Sequence, residues 1–147
     1  MLSASKYFKL FLYLGNDSAQ LSGELAVSNL LKTIAKLESK FVPTHHQLIN
    51  LKYKFITEQP IEKQNITLVK VKSKFCQELL PVFDRLEGGE GGIFKGKALF
   101  EFAKVQLHLL EADLKSKIIN KEDYLRQIKL YLGLQMKASR MIKAFNT

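Results

Sequence analysis

One cysteine, Cys76, is all the thiol in these 147 residues. A single thiol closes no internal disulfide, so the fold must rest on its core, and a reducing compartment, cytoplasmic or nuclear, is expected. Long apolar runs are missing too. None approaches the roughly 20 residues that a membrane-spanning helix needs, so no membrane is expected as a partner. The opening stretch from Met1 to Gly15 is apolar, but Lys6 and Lys9 interrupt it and no small-residue cleavage site follows, which speaks against a secretory signal. The triplets Asn16-Asp17-Ser18 and Asn65-Ile66-Thr67 therefore carry no glycosylation reading. No segment alternates apolar and polar residues for long enough to make a sheet. Acidic residues are scarce: 14 against 23 lysines and arginines, a formal charge of +9. Such a surface attracts acidic peptides, nucleic acid or anionic lipid without choosing among them.

What is present is apolar periodicity of helical type. A hydrophobic share of 46% excludes disorder as the default, and the length fits a single helical domain over residues 1–147. Lys6 to Leu14 reads as a short apolar helix ended by Gly15 at its C-cap, so residues 1–15 form an N-terminal element. Residues 17–60 read as a first helix pair. Asp17 or Ser18 caps a helix that carries Leu21, Leu25, Leu30, Ile34, Leu37 and Phe41 and stops at Pro43. Thr44 and Gln47 form a capping box for the next helix, with Leu48, Leu51 and Phe55 facing inward.

Residues 61–147 hold long helices around a glycine-rich corner. One runs from Ile66 to Leu86, burying Val69, Phe75, Cys76, Leu79, Leu80, Phe83 and Leu86, with a kink expected at Pro81. The corner Gly88-Gly89-Glu90-Gly91-Gly92 cannot continue a helix, since each glycine there costs about 1 kcal/mol relative to alanine. After it, Leu99, Ala103, Leu110 and Leu114 mark an inner face, while Glu101, Lys104, His108, Glu111 and Lys115 lie opposite. Asn120 caps the last helix, with Glu122 and Asp123 in its first turn. The fold class is all-α: an array of about five or six antiparallel helices in degenerate, tetratricopeptide-like pairs.

The segment Leu86-Glu87-Gly88-Gly89, followed by Lys95-Gly96-Lys97-Ala98-Leu99-Phe100-Glu101-Phe102, resembles the C-terminal helical domain of the SET and MYND lysine methyltransferase family, its divergent arthropod members above all. Val42-Pro43-Thr44-His45-His46 through Leu51-Lys52-Tyr53 is similar to the family's His-Pro-Asn-His-Tyr segment. Gly88 stands where proline is usual, Gly91 and Gly92 replace a Ser-Arg pair, and Val42 takes the place of a common histidine. The resemblance implies relatives that carry an S-adenosylmethionine-binding SET domain and a cysteine-rich zinc module. One cysteine cannot build those zinc sites, and the helices leave no room for the catalytic domain. The chain by itself is thus expected to be no enzyme, without catalytic residues, metal or cofactor. It reads as the helical part of a methyltransferase-like protein, a shortened homologue, or a fragment whose catalytic part lies elsewhere. In the family this part recruits partners, including a cytosolic chaperone with an acidic tail.

Two basic ridges come from the helical wheel alone. Arg126, Lys129, Lys137 and Arg140 share one sector of the last helix, with Gly133 in the same stripe. Lys63, Lys70, Lys74 and Arg85 share a face upstream, where Lys74 is in reach of Glu78. The bland reading is two solvated ridges. The functional one is an anion-attracting groove that holds an acidic peptide or protein. Nucleic acid competes for the same charges, but no zinc-finger, homeodomain or RRM pattern supports it. His45 and His46 diverge by about 100° on a helix and make a poor metal pair. Cys76 falls on an apolar stripe, where a thiol is inert. The remainder of the last helix is apolar on two sides, which predicts neighbours on both.

Overall fold

The computed structural model describes residues 24–42, 44–59, 66–87 and 92–146. Among them it is all-helical, with no strand: α1 (Glu24–Glu38), α2 (His46–Glu58), α3 (Ile66–Glu87), α4 (Ile93–Lys115) and α5 (Lys121–Asn146). The expected helix at Lys6–Leu14, the stop at Pro43 and most of the glycine corner lie outside the described residues. Contacts divide the chain into two compact units, 1–55 and 56–147.

In the first unit α1 buries Leu30, Ile34 and Leu37, the stripe its period demands. The amides of Lys40 and Phe41 both turn back to the Leu37 carbonyl, at 3.0 and 2.9 Å, and close the helix. His45, rather than Thr44, caps α2. Its Nδ1 accepts the Gln47 N–H at 3.3 Å, and its carbonyl accepts the Ile49 N–H at 3.1 Å. The ring is held in a stack, 4.4 Å from Phe41 and 4.6 Å from His46 between centroids. A rigid ring with a lone pair directed at the helix start does the work expected of the threonine hydroxyl. Leu48, Leu51 and Phe55 are buried as the pattern required, yet so is Lys52, whose Nζ lies 3.2 Å from Glu38 Oε2.

The second unit is built on α4, which packs against α3 on one flank and α5 on the other. Both pairings are antiparallel: Asp84 and then Lys72 of α3 meet Lys95 and Glu101 of α4, and Gly96 and Phe102 of α4 meet Met141 and Tyr131 of α5. Serving two neighbours, α4 buries two stripes, Ala98 with Val105 and Gly96 with Leu99, Ala103 and Leu110. Helix α3 continues through Pro81, which is exposed, where the missing N–H does least harm. Leu86, expected inside, is 70% exposed, and Val82 is buried in its stead. The last turn of α3 gives its carboxylates to the corner. Glu87 accepts the N–H groups of Lys95 at 2.8 Å and Phe94 at 3.3 Å, capping α4 from outside its own sequence. Asp84 pairs with the Lys95 ammonium. The N-cap position itself is Gly92 at φ 136°, a conformation open only to glycine, and a Cβ there would strike the Glu87 carboxylate.

Between α4 and α5 the chain turns without glycine. Lys117 takes the left-handed conformation at φ 60°, while its N–H donates to Leu114 O and that of Ile118 to Asp113 O at 3.1 and 2.9 Å. That is a Schellman ending with lysine where glycine is favoured. Asn120 then caps α5 as expected, its Oδ1 accepting the Asp123 N–H at 2.8 Å.

Candidate partner-binding surface

Every described residue of the two basic ridges is exposed: Lys70, Lys74 and Arg85 on α3, and Arg126, Lys129, Lys137 and Arg140 on α5. Lys63 lies outside the described residues. The ridges occupy the two outer helices of the second unit with α4 between them, and among the described residues α3 and α5 make no contact that would bring the ridges together.

The ridges differ in how their charge is compensated. On α3 acids are interspersed, and Lys74 reaches Glu78 at 3.9 Å, an exposed pair of the kind expected. On α5 the only acids are Glu122 and Asp123 in the first turn; from Tyr124 to Asn146 there is none. Arg126 Nη2 lies 2.8 Å from Asp123 Oδ1, while Lys129, Lys137 and Arg140 have no ion pair among the described residues. The acids at the N-terminus and Lys143 in the last turn suit the helix dipole. The charge segregation between them has no such local use.

Beside these cations runs a second feature. Leu125, Leu132 and Met136 are 48%, 45% and 64% exposed, and Leu130 is 60% exposed. On the helical wheel Leu130, Leu134, Met141 and Phe145 form one apolar arc and Leu125, Ile128, Leu132 and Met136 the other, and each arc is expected to meet a neighbour. One neighbour exists: Tyr131 meets Phe102 of α4 edge-on at 6.2 Å, and Ala138 is fully buried. The second arc is covered only in part: Ile128 is half-buried and shares a cleft with α4, whereas Leu125, Leu132 and Met136 stay exposed.

A cleft of about 660 Å³ lies elsewhere in the same unit, lined by the end of α2, the polar side of α4 and Tyr124 and Ile128 of α5. Its chemistry is internally balanced. Glu101 is held at 2.9 Å by Lys72 and at 3.1 Å by Lys104, and Lys72 donates a further hydrogen bond of 2.7 Å to the Gln59 carbonyl. Lys72 is 1% exposed. Burial lowers its pKa below the usual lysine range, while the Glu101 carboxylate acts against that shift. His108 lines this cleft, half-buried, and Glu111 pairs with Lys115 at 3.4 Å. Lys72 was absent from the residues singled out by the wheel, although a signal existed: Val69, Lys72, Cys76 and Leu79 repeat at apolar-stripe spacing. Cys76 lies on that stripe fully buried, and burial pushes its thiol up to about 12. Among the described residues no three His, Cys, Asp or Glu side chains gather as a metal site, and no helix is long and apolar enough to cross a membrane.

Comparison with protein-family models, curated proteins and solved structures finds no match to this chain.

Proposed function

We propose that this protein is a non-catalytic helical interaction module that engages an acidic peptide or protein through the outward face of α5. The observation that carries this reading is the carboxylate-free run from Tyr124 to Asn146, which leaves Lys129, Lys137 and Arg140 exposed and uncompensated. Exposed cations contribute little to folding. Set against carboxylates, they form charge-assisted hydrogen bonds and raise the association rate. The α3 ridge of Lys70, Lys74 and Arg85 is a secondary attraction, partly satisfied by Glu78. The likeness of the Leu86–Phe102 segment to the C-terminal region of SET and MYND proteins supports the same role, with stacked tetratricopeptide-like pairs as the scaffold.

Titrating the chain with an acidic peptide tests this. Lys129→Glu with Lys137→Glu should weaken binding by at least about tenfold, and added salt should weaken the unaltered protein in the same direction. Unchanged affinity refutes the assignment to α5. Binding that follows the length of any polyanion, RNA included, supports the nucleic-acid reading in its place.

A further inference from the structure

We infer that the partner presents an acidic amphipathic helix, seated with its apolar side on Leu125, Leu132 and Met136 and its carboxylates against Arg126, Lys129, Lys137 and Arg140. The inference rests on the reading just given and adds the shape of what is bound.

Charge alone would be served by cations scattered on polar ground. Here the three apolar side chains fall at i, i+7 and i+11, within about 40° of one another around α5, and span roughly 16 Å along its axis. All three are nearly half exposed or more. The four cations follow on one side of that row, within about the next 100°. An apolar strip with a one-sided basic border is complementary to a helix with apolar residues at i, i+3, i+4 and i+7 and acids beside them. The α3 ridge lacks such a strip: its only exposed large apolar side chains, Ile66 and Leu86, sit at its two ends.

Charge rejects a second copy, and the make-up of the row weighs against the other occupants. A second copy of this chain would set the same cations against one another, an arrangement that costs affinity. A lipid surface is met by amphipathic helices that carry tryptophan or phenylalanine among the leucines. This row is Leu, Leu and Met, and the chain has no tryptophan. Methionine on an exposed face is suited to seating varied protein side chains. Phosphates of a nucleic acid would meet the cations and leave the apolar row in water.

Two synthetic peptides of equal composition and charge separate the inference from the reading beneath it. One places leucines on one helical face and glutamates beside them; the other scrambles the order. The 147-residue chain should bind the patterned peptide at least about tenfold more tightly, equivalent to ~1.4 kcal/mol. Leu132→Gln with Met136→Gln should erase that advantage while leaving affinity for the scrambled peptide unchanged. Both positions are exposed, and circular dichroism of the variant should match the unaltered protein. Equal binding of the two peptides, reduced by Lys129→Glu, overturns the helix seat and leaves the acidic-partner reading standing. No binding of either overturns both. Self-association abolished by Met136→Gln, or tighter binding to phosphatidylserine vesicles than to the patterned peptide, also overturns the seat.

Discussion

Glu101→Gln should be among the most damaging single changes on α4, although sequence patterning places Glu101 on a polar face. The carboxylate stands 2.9 Å from the ammonium of Lys72, which is 1% exposed and has as its other partner the Gln59 carbonyl at 2.7 Å. Neutralising Glu101 leaves a buried cation without its counter-charge, an error that costs about 3–5 kcal/mol where the site cannot relax. Lys72 can relieve part of this by losing its proton, so the lower end, about 3 kcal/mol, is the expected loss at pH 7. Lys72→Met should be milder, since Glu101 retains Lys104 at 3.1 Å and the apolar stem is preserved. Lys72→Met with Glu101→Leu should recover most of the stability. The pH dependence carries a sign. The pKa of Lys72 is lower folded than unfolded, so in the alkaline window below about pH 10.4 the unfolded chain binds more protons and folding gains as pH rises. Loss of Glu101 deepens the depression, so the deficit of Glu101→Gln should shrink between pH 7 and pH 10. Urea unfolding at both pH values measures it. A Glu101→Gln penalty no larger than that of Lys72→Met, or one that does not change with pH, refutes the assignment of a paired buried lysine.

Lys117→Gly should stabilise by about 1 kcal/mol, because glycine adopts the φ 60° conformation without the side-chain penalty, and a rise in thermal midpoint reads it. Gly133→Ala should add a similar amount, about 1 kcal/mol, since a Cβ there meets nothing within 4 Å. Gly96→Ala should instead destabilise, because its Cβ would stand 3.2 Å from both Met141 Cβ and Ile142 Cγ1, and the Met141 Cβ cannot swing away from its own backbone. His45→Asn should make stability less sensitive to acid. Burial and then the His46 charge lower the His45 pKa, so its neutral, capping form contributes stability above about pH 6.5 that is lost as pH falls through the depressed value. Asparagine caps without titrating, so the difference between the two proteins in chemical denaturation should shift between pH 7 and pH 5. Cys76 should react with a disulfide reagent at pH 8 only as the protein unfolds, since a thiol pushed up to about 12 holds almost no thiolate there. Rapid labelling of the folded chain contradicts its burial.

Much of the helical layout was legible because period and caps are local. Leu30, Ile34 and Leu37, then Leu48, Leu51 and Phe55, repeat on one face, and Asn120 followed by Glu122 and Asp123 marks a helix start whatever lies around it. The junctions resisted for the opposite reason. Glu87 caps α4 from the end of α3, Lys117 supplies a left-handed turn that sequence assigns to glycine, and His45 takes a cap from Thr44 through a ring stack. Each depends on groups brought together by the fold. Lys72 is the sharpest instance. A lysine on an apolar stripe reads as a break in the pattern until Glu101 and the Gln59 carbonyl are found around its ammonium.

The α5 surface was half legible, and the missing half follows from side-chain size at its seam with α4. A wheel reports that α5 is apolar over a wide arc; it does not report how much of that arc one neighbour can cover. Gly96 on α4 lets the backbone of Ala138 come close, with the Ala138 carbonyl 3.6 Å from where a Cβ of Gly96 would stand. A seam drawn that tight is filled by small residues and by Tyr131, Met141 and Ile142, which point toward α4. Leu125, Leu132 and Met136 project from the other side of the rod, beyond the reach of α4. Burying three such side chains in a partner would be worth several kcal/mol, at about 1.5–3 kcal/mol for each one taken fully from water. Past its first turn the helix carries no carboxylate to neutralise Lys129, Lys137 or Arg140. Apolar surface and uncompensated charge on one strip, each unfavourable to leave in water or near its like, are both relieved by a single acidic, amphipathic occupant.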